Sequence, residues 1–238
     1  MKEGGWIESA DAWQKFVDEG DSNRTHLLDE VMLRLCGDVN RVVILDVGCG
    51  EGRFGKMLAE LGASVVGIDP VRALLASAKE KGLSRLARSR GERLPFSNGA
   101  FDKVVSYVTF VDIEGFEEAV AEIARVLRPG GRCVVSNVTP ISTCSSGWVK
   151  DSEGRKLHWP VHRYFEYPGG VQSWRGITVM QHHRTLERFF GAFLRSGFLL
   201  REYLEPIPTP AALEADPGMA DLSIAPLFHA MLWERSSF

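Results

Sequence analysis

A glycine-rich turn directly after an apolar run is the feature that most restricts the fold of this chain. The run, residues 42–47, carries Asp46 near its end, and Gly48, Gly50 and Gly52 follow before a helical pattern begins. Glycines at alternate positions allow dihedral angles that other residues avoid, and they let a ligand approach the backbone closely. The turn therefore predicts a site for a nucleoside cofactor, although nicotinamide and flavin enzymes also carry glycine-rich turns at this place.

From residue 41 onward, short runs rich in Val and Ile alternate with longer helical patterns. This alternation is typical of βαβ units and predicts an α/β fold with a doubly wound, mostly parallel sheet. The predicted strands cover residues 42–47, 64–68, 84–88, 103–107 and 132–138, and the predicted helices cover residues 52–61, 71–81 and 114–126. The polar, Arg-rich run 84–88 suits the edge of the sheet better than its centre.

At 238 residues the chain is long enough for one α/β domain with a full core. We expect residues 1–40 to form an N-terminal helical lid and residues 41–139 to form the cofactor-binding core. Residues 140–180 combine many aromatic side chains with no clear periodicity, which is typical of an insertion that covers a substrate. Residues 181–238 then complete the sheet, with a helix predicted at 185–196 and a strand at 198–203.

Charge and composition disfavour several classes of function. The formal charge of −3 leaves no excess of Lys and Arg that would attract a nucleic acid. No apolar run approaches the roughly 20 residues that span a bilayer, and no secretory leader is apparent. The cysteines lack zinc-site spacing and disulfide density, so we expect free thiols in the cytoplasm and no metal; they are Cys36, Cys49, Cys133 and Cys144.

A second acidic residue, Asp69, follows the second predicted strand and precedes Pro70. A carboxylate at this place can accept both ribose hydroxyls, the geometry that selects ribose in dinucleotide-binding folds. Asp69 therefore strengthens the prediction of a nucleoside ligand but does not specify a reaction.

Four motifs follow one another between residues 42 and 138: LDVGCGEGR, VVGIDP, GERLPFSNGAFDKVVS and EIARVLRPGGRCVVSN. Together they resemble the class I S-adenosylmethionine-dependent methyltransferases with a type 11 domain, in the broad group of ubiquinone-biosynthesis and other small-molecule enzymes. The resemblance implies a seven-stranded Rossmann-like sheet, S-adenosylmethionine as cofactor, and methyl transfer to oxygen, nitrogen or carbon of a small organic acceptor.

The resemblance also implies roles for residues in the first two motifs. Asp46 and the backbone around Gly48 and Gly50 would hold the methionine end of the cofactor. Asp69 would hold the ribose, with Pro70 against the adenine.

The third motif would contact the adenine and the sulfonium. Gly91 and Glu92, with Arg93 close by, would meet the adenine edge, and Ser106 and Tyr107 would line the pocket beneath the sulfonium. The family commonly has an Asp before the Gly-Glu pair, whereas this chain has Arg90, which offers no hydrogen-bond acceptor.

Four further positions are candidates with structural alternatives. His182 and His183, in a stretch HRTLE that also resembles small-molecule methyltransferases, would begin the C-terminal helix and either contact substrate or cap that helix. Asp112 follows the fourth strand, where a ligand crevice lies, but it also suits a helix cap. Arg24 would either reach the cofactor carboxylate or lie exposed.

Two other functions stay open at this point. A protein that keeps the fold and binds the cofactor without transferring a methyl group is the first, and Arg90 gives it some support. A nicotinamide oxidoreductase is the second, and the GxGxG spacing disfavours it. The sequence does not specify the acceptor, a catalytic residue or the oligomeric state.

Overall fold

A computed structural model describes residues 5–237 and contains eleven strands. They are β1 (Val43–Val47), β2 (Ser64–Asp69), β3 (Leu86–Arg88), β4 (Phe101–Tyr107), β5 (Leu127–Val138), β6 (Val149–Lys150), β7 (Lys156–His158), β8 (Gly169–Trp174), β9 (Ile177–His182), β10 (Phe198–Leu204) and β11 (Phe228–Arg235). Seven of them form one sheet in the order β3-β2-β1-β4-β5-β11-β10, and only β11 runs against its neighbours. The predicted Rossmann-like, mostly parallel sheet of seven strands is confirmed.

Helices cover both faces of this sheet. They are α1 (Trp6–Glu19), α2 (Asp29–Cys36), α3 (Arg53–Glu60), α4 (Arg72–Glu80), α5 (Phe116–Val126), α6 (Pro140–Thr143), α7 (Leu186–Arg195) and α8 (Pro210–Ala215). A π-helical turn (Arg24–Leu28) precedes α2, and two 3-10 segments lie at Phe110–Asp112 and Pro217–Ser223. No helix within residues 5–237 is long and apolar enough to cross a membrane.

The two faces of the sheet bury separate apolar cores, as a doubly wound fold requires. On one face α5 and α7 pack an aromatic cluster in which the Phe193 ring stacks on Trp233 with centroids 4.6 Å apart. On the other face α2, α3 and α4 bury Met32, Phe54 and Ala78 against β1 and β2. Strands β1 and β2 lie between these layers and are largely buried on both sides, which explains why they consist of nearly continuous apolar residues.

The structure differs from the sequence-based expectation at several elements. Strand β11, which lies between β5 and β10, was not predicted from the sequence. Residues 140–180 contain two hairpins, β6–β7 and β8–β9, where no regular pattern was apparent. His182 ends β9 and pairs with Gly169, so His182 and His183 do not begin α7; the Thr185 hydroxyl caps that helix by accepting from the Arg188 N–H.

Candidate functional site

A cavity of about 1510 Å³ opens at the carboxyl ends of β1, β2 and β4. Its floor is the glycine-rich turn, α1 forms one wall, and residues from the segment 142–182 form another. Open α/β sheets bind ligands in this crevice. The volume exceeds the roughly 300–1,000 Å³ of an ordinary small-molecule pocket, so the cavity has room for two ligands side by side.

The glycine-rich turn fits tightly between β2 and the segment after β4. Gly48, Gly50 and Gly52 all have positive φ, at 72°, 53° and 81°. A Cβ on Gly48 would lie 2.2 Å from Cγ2 of Thr109, whereas a Cβ on Gly50 would meet nothing closer than the Trp13 indole nitrogen at 3.9 Å. A Cβ on Gly52 would lie 2.8 Å from both Cβ of Ala78 and Cδ1 of Leu83. The turn therefore needs glycine for its dihedrals, and at Gly48 and Gly52 also for space.

Asp69 anchors the turn from the end of β2. Its Oδ2 accepts a hydrogen bond from the Gly50 N–H at 3.0 Å, and its Oδ1 accepts from the Val71 N–H at 2.8 Å. Burial raises the pKa of Asp69 to about 6, against the effect of these two backbone donors. A carboxylate oxygen has a second lone pair, so both oxygens can still accept from a ligand in the cavity.

Two more carboxylates are buried beside the turn, Asp46 and Glu51, with exposures of 2% and 1%. Burial, reinforced by the charges of Glu51 and Asp69, raises the pKa of Asp46 to about 7. Glu51 accepts from the Trp13 indole at 2.9 Å and from Arg24 at 3.4 Å. Sequence reasoning missed Glu51, although its place inside the glycine motif marked it as close to any bound ligand.

Arg24 lines the cavity, as expected of a residue that reaches the cofactor. Its guanidinium lies 4.4 Å above the Trp13 ring, and its Nε is 2.9 Å from Oδ2 of Asp21. Arg24 is thus held between Asp21 and Glu51 and is not the exposed arginine of the alternative interpretation.

The residues expected at the adenine edge separate into two groups. Pro70, Gly91 and Glu92 line the cavity, and Oε1 of Glu92 also accepts from the Gly115 N–H at 3.4 Å, at the start of α5. Arg93 is exposed and lines a shallow pocket outside the cavity, so its side chain does not join Pro70, Gly91 and Glu92 there.

The side chains of Ser106 and Tyr107 lie on opposite faces of β4, because successive residues of a strand point to opposite faces of the sheet. Tyr107 lines the cavity and donates its hydroxyl hydrogen to Oδ1 of Asp29 at 2.8 Å. Ser106 is fully buried, and its hydroxyl has no hydrogen-bond partner among the described residues. The cavity lining does not include Ser106, so its expected contact beneath the sulfonium is wrong.

The two neighbouring histidines have different environments. His183 is buried outside the cavity; its Nδ1 is 2.7 Å from the Thr143 hydroxyl, and its Nε2 is 2.8 Å from the Tyr164 carbonyl. These bonds tie residues 143 and 164 to the end of β9, which is a structural role. His182 is half-buried and lines the cavity, and burial lowers its pKa. His182 alone of the pair can meet a ligand there.

Aromatic side chains line the cavity away from the glycine-rich turn. Trp148 and Trp159 pack edge to face with ring centroids 5.4 Å apart. The residues that share this wall are Trp148, Trp159, Tyr167, Trp174 and Met180. The cavity lining thus combines acidic and backbone groups at the glycine-rich turn with aromatic side chains from residues 148–180.

Comparison with known proteins identifies the family. The model of the methyltransferase domain matches residues 45–135. A demethylmenaquinone methyltransferase of Thermus thermophilus is 33% identical over 192 residues, which cover 76% of this chain and 74% of that protein. The chain belongs to the class I S-adenosylmethionine-dependent methyltransferases. A crystal structure of such a methyltransferase from Mesorhizobium loti is 28% identical, with a TM-score of 0.78 over 91% of this chain and 99% of that one.

The cavity of this methyltransferase suits its cofactor, S-adenosylmethionine. When bound, the cofactor supplies an electrophilic methyl group on a sulfonium, and it also carries an ammonium and a carboxylate. Three buried carboxylates, Asp46, Glu51 and Asp69, face a ligand with two positive charges, and Arg24 offers a partner for its one negative charge. The open space above Gly50 leaves room for the ligand to approach the backbone.

Proposed function

We propose that this enzyme methylates a small organic acceptor that binds between the cofactor and the aromatic wall formed by residues 148–180. The observation that carries the proposal is the continuity of one large cavity from the glycine-rich turn to that wall. Methyl transfer is an in-line displacement, for which alignment of the two ligands and exclusion of water supply much of the acceleration.

The walls of the cavity are fastened to each other, which favours an acceptor small enough to be enclosed. Ser9 on α1 donates to the Thr178 carbonyl at 3.1 Å and accepts from the Thr178 N–H at 3.0 Å, so α1 and β9 are joined. The acidic lining disfavours a polyanion such as a nucleic acid. The name of the Thermus relative indicates a quinone-type acceptor, and the tryptophans here suit a planar ring of that kind.

Residue roles in cofactor binding are part of the proposal. Asp46 and the backbone at Gly48 and Gly50 hold the methionine end, and Asp69 holds the ribose. The adenine lies along Pro70, Gly91 and Glu92, while Arg24 and Tyr107 border the methionine end.

The proposal also includes the organisation of the chain and its location. Residues 41–139 form the cofactor-binding core of a single domain, and residues 140–180 cover the acceptor together with α1. A cytoplasmic location is supported by four buried, free cysteines.

The first test measures S-adenosylhomocysteine binding by isothermal titration to the wild type, Asp69→Ala and Asp18→Ala. Loss of a carboxylate that accepts two hydroxyls lowers the affinity of Asp69→Ala by roughly 10²- to 10⁴-fold, since hydrogen bonds to charged groups are each worth about 1.5–3 kcal/mol. Asp18 is exposed on α1, so its variant binds like the wild type. Unchanged affinity of Asp69→Ala would remove the ribose assignment.

The second test identifies the acceptor class. Wild-type enzyme and S-adenosylmethionine are incubated with hydroquinones, naphthols, phenols, amines and carboxylic acids, and S-adenosylhomocysteine formation is followed. Trp148→Ala lowers turnover with the best acceptor without changing S-adenosylhomocysteine affinity. Absence of product with every small acceptor would contradict the proposal.

A further inference from the structure

Asp112 is a carboxyl group in the cavity to which the cofactor-binding roles proposed above assign no part. It ends the 3-10 segment after β4 and lines the cavity. Its Oδ1 is buried and has no hydrogen-bond partner among the described residues. Because a buried carboxylate oxygen without a donor is unfavourable, a ligand that brings a hydrogen to Oδ1 gains from that contact.

The backbone around Asp112 is held in place by side chains from two other elements. Arg184 donates to the Phe110 carbonyl at 2.9 Å and also to the Ile113 carbonyl, while Oδ1 of Asn137 accepts from the Val111 N–H at 3.0 Å. Catalytic groups need such rigid support, because a small displacement removes them from the productive geometry. Asp112 is therefore a positioned group rather than a loop residue free to turn away.

The surroundings of Asp112 combine aromatic and charged groups. Burial, and then the Asp69 charge, raise its pKa to about 8, while a hydrogen bond from Trp6 and the Arg184 charge act in the opposite direction. Strand β9, which carries His182, packs against the same 3-10 segment. A carboxyl group whose pKa lies near neutrality both takes up and releases a proton readily, as a general base must.

We propose that Asp112 is the proton acceptor of this methyltransferase and that its acceptor substrate is a hydroxyl group on an aromatic ring. The inference deepens the proposed function and rests on it. Trp6 beside Asp112 and the aromatic wall beyond it fit the ring. A carboxylic acid fits poorly, since its charge would face Asp112 and the acidic end of the cavity, and a neutral amine reacts without a base.

The proposed reaction couples methyl transfer to the acceptor oxygen with proton transfer to Asp112. The O–H bond of the acceptor breaks with its proton passing to Oδ1 of Asp112, and the oxygen pair forms the new O–CH₃ bond. The pair of the broken S–CH₃ bond stays on sulfur as the neutral thioether, and Asp112 later releases its proton to solvent.

A spectroscopic probe tests the contact without requiring turnover. We would titrate 4-nitrophenol into the S-adenosylhomocysteine complex and record its phenol and phenolate absorption against pH. Above about pH 8 Asp112 is ionised, and its carboxylate then stabilises the neutral phenol. The pKa of the bound probe in the wild type is therefore raised by roughly one to two units. Asp112→Asn removes this rise, because an amide also donates to the phenolate.

A matched control is Asp216→Asn. Asp216 is a carboxylate elsewhere on the cavity wall whose Oδ1 caps the Gly218 N–H, and Asn caps equally well. This variant leaves the probe as in the wild type. Equal probe pKa values in the wild type and Asp112→Asn would overturn the proposal, and so would absence of 4-nitrophenol binding to both proteins.

Turnover supplies the second readout, with the best aromatic hydroxyl acceptor of the panel. Asp112→Asn lowers kcat by roughly 10²- to 10⁴-fold, the usual contribution of a general base, with S-adenosylhomocysteine affinity within about threefold. Retained affinity shows that the cofactor site is folded. A failure of the Asp112 proposal can then be distinguished from a failure of the proposed cofactor-binding roles. Loss of kcat in His182→Gln but not in Asp112→Asn would assign the proton to His182 and overturn the proposal.

Discussion

The indole nitrogen of Trp13 lies 2.9 Å from Oε2 of Glu51, and this hydrogen bond joins α1 to the glycine-rich turn. Arg24 approaches the other oxygen of the same carboxylate at 3.4 Å. Glu51 thus receives donors from two N-terminal segments and also lines the cavity at the glycine-rich turn. The position of α1 and the shape of the cofactor site are therefore linked.

We predict that Trp13→Phe weakens S-adenosylhomocysteine binding by roughly 10-fold. Without the indole donor α1 is held less firmly, and ligand binding must then order it, which costs free energy. Isothermal titration measures the affinity, and faster amide exchange in α1 reports the loosening. Trp148→Phe, on the far wall, keeps wild-type affinity; an equal loss in both variants would show a general effect of removing an indole.

Gly48→Ala should destabilise the protein much more than Gly82→Ala. Both glycines have positive φ, at 72° and 102°, so each alanine costs about 1–2 kcal/mol in backbone strain. Only Gly48 has a neighbour in the way, Thr109, and the clash adds roughly 1–3 kcal/mol. Urea unfolding measures the difference, and Thr109→Ala should recover part of the Gly48→Ala loss. Equal losses at both glycines would mean that the turn moves away from Thr109.

The raised pKa of Asp46 predicts opposite pH trends for ligand affinity and for stability. Below pH 7 Asp46 is protonated in the free protein and must ionise to bind an ammonium, so affinity for S-adenosylhomocysteine falls about tenfold per pH unit. In the folded protein Asp46 holds a proton between pH 3.8 and about 7 that the unfolded chain has released. The free energy of unfolding therefore rises as pH falls through this range.

The variant Asp46→Asn tests whether the titration of Asp46 causes the pH dependence of ligand affinity. Relative to the wild type, the variant binds more weakly at pH 8, and the slope of affinity against pH between 7 and 5 is reduced. Titrations in two buffers of different ionisation enthalpy count the protons released on binding. An unchanged slope in Asp46→Asn would assign the titration to another group.

His183→Ala should loosen the segment over the acceptor without changing cofactor affinity. The variant loses hydrogen bonds to Thr143 and Tyr164 and leaves a buried gap, at a cost of roughly 2–4 kcal/mol. Limited proteolysis then cuts residues 143–168 faster than in the wild type or in His158→Ala, where the replaced histidine is exposed. Loss of turnover with unchanged proteolysis and stability would instead indicate a chemical role.

The parallel half of the sheet was predictable because its signals are local. In β1 and β2 both faces are buried, which forces continuous runs of Val and Ile, and the glycines and Asp69 stand at fixed places beside them. Strand β11 contains no Val or Ile; its short apolar run, residues 230–233, is flanked by His229 and Glu234, and a Pro-rich passage precedes it. What makes it a strand is its pairing with β5, far away in sequence.

Within the site, the sequence predicted the residues of the glycine-rich turn and its neighbours. It did not predict residues whose roles depend on hydrogen-bond partners far away in the chain. Glu51 was missed because its donors, Trp13 and Arg24, come from another part of the chain. Ser106 and Tyr107 could not be separated without knowing which face of β4 borders the crevice. His183 and Arg184 belong to a recognisable motif, but their roles follow from the carbonyls and the hydroxyl that they bind.

The pairing of β5 with β11 has a consequence for how this scaffold diversifies. In this pairing Val138 lies opposite Phe228. Of the chain between these two residues, only β10, at the edge, forms part of the central sheet. Closing such an excursion becomes only about 0.6 kcal/mol harder each time its length doubles. The two hairpins between residues 149 and 182 can thus be lengthened, shortened or exchanged during evolution while β1, β2 and β4 stay fixed, and one wall of the cavity changes without a new fold.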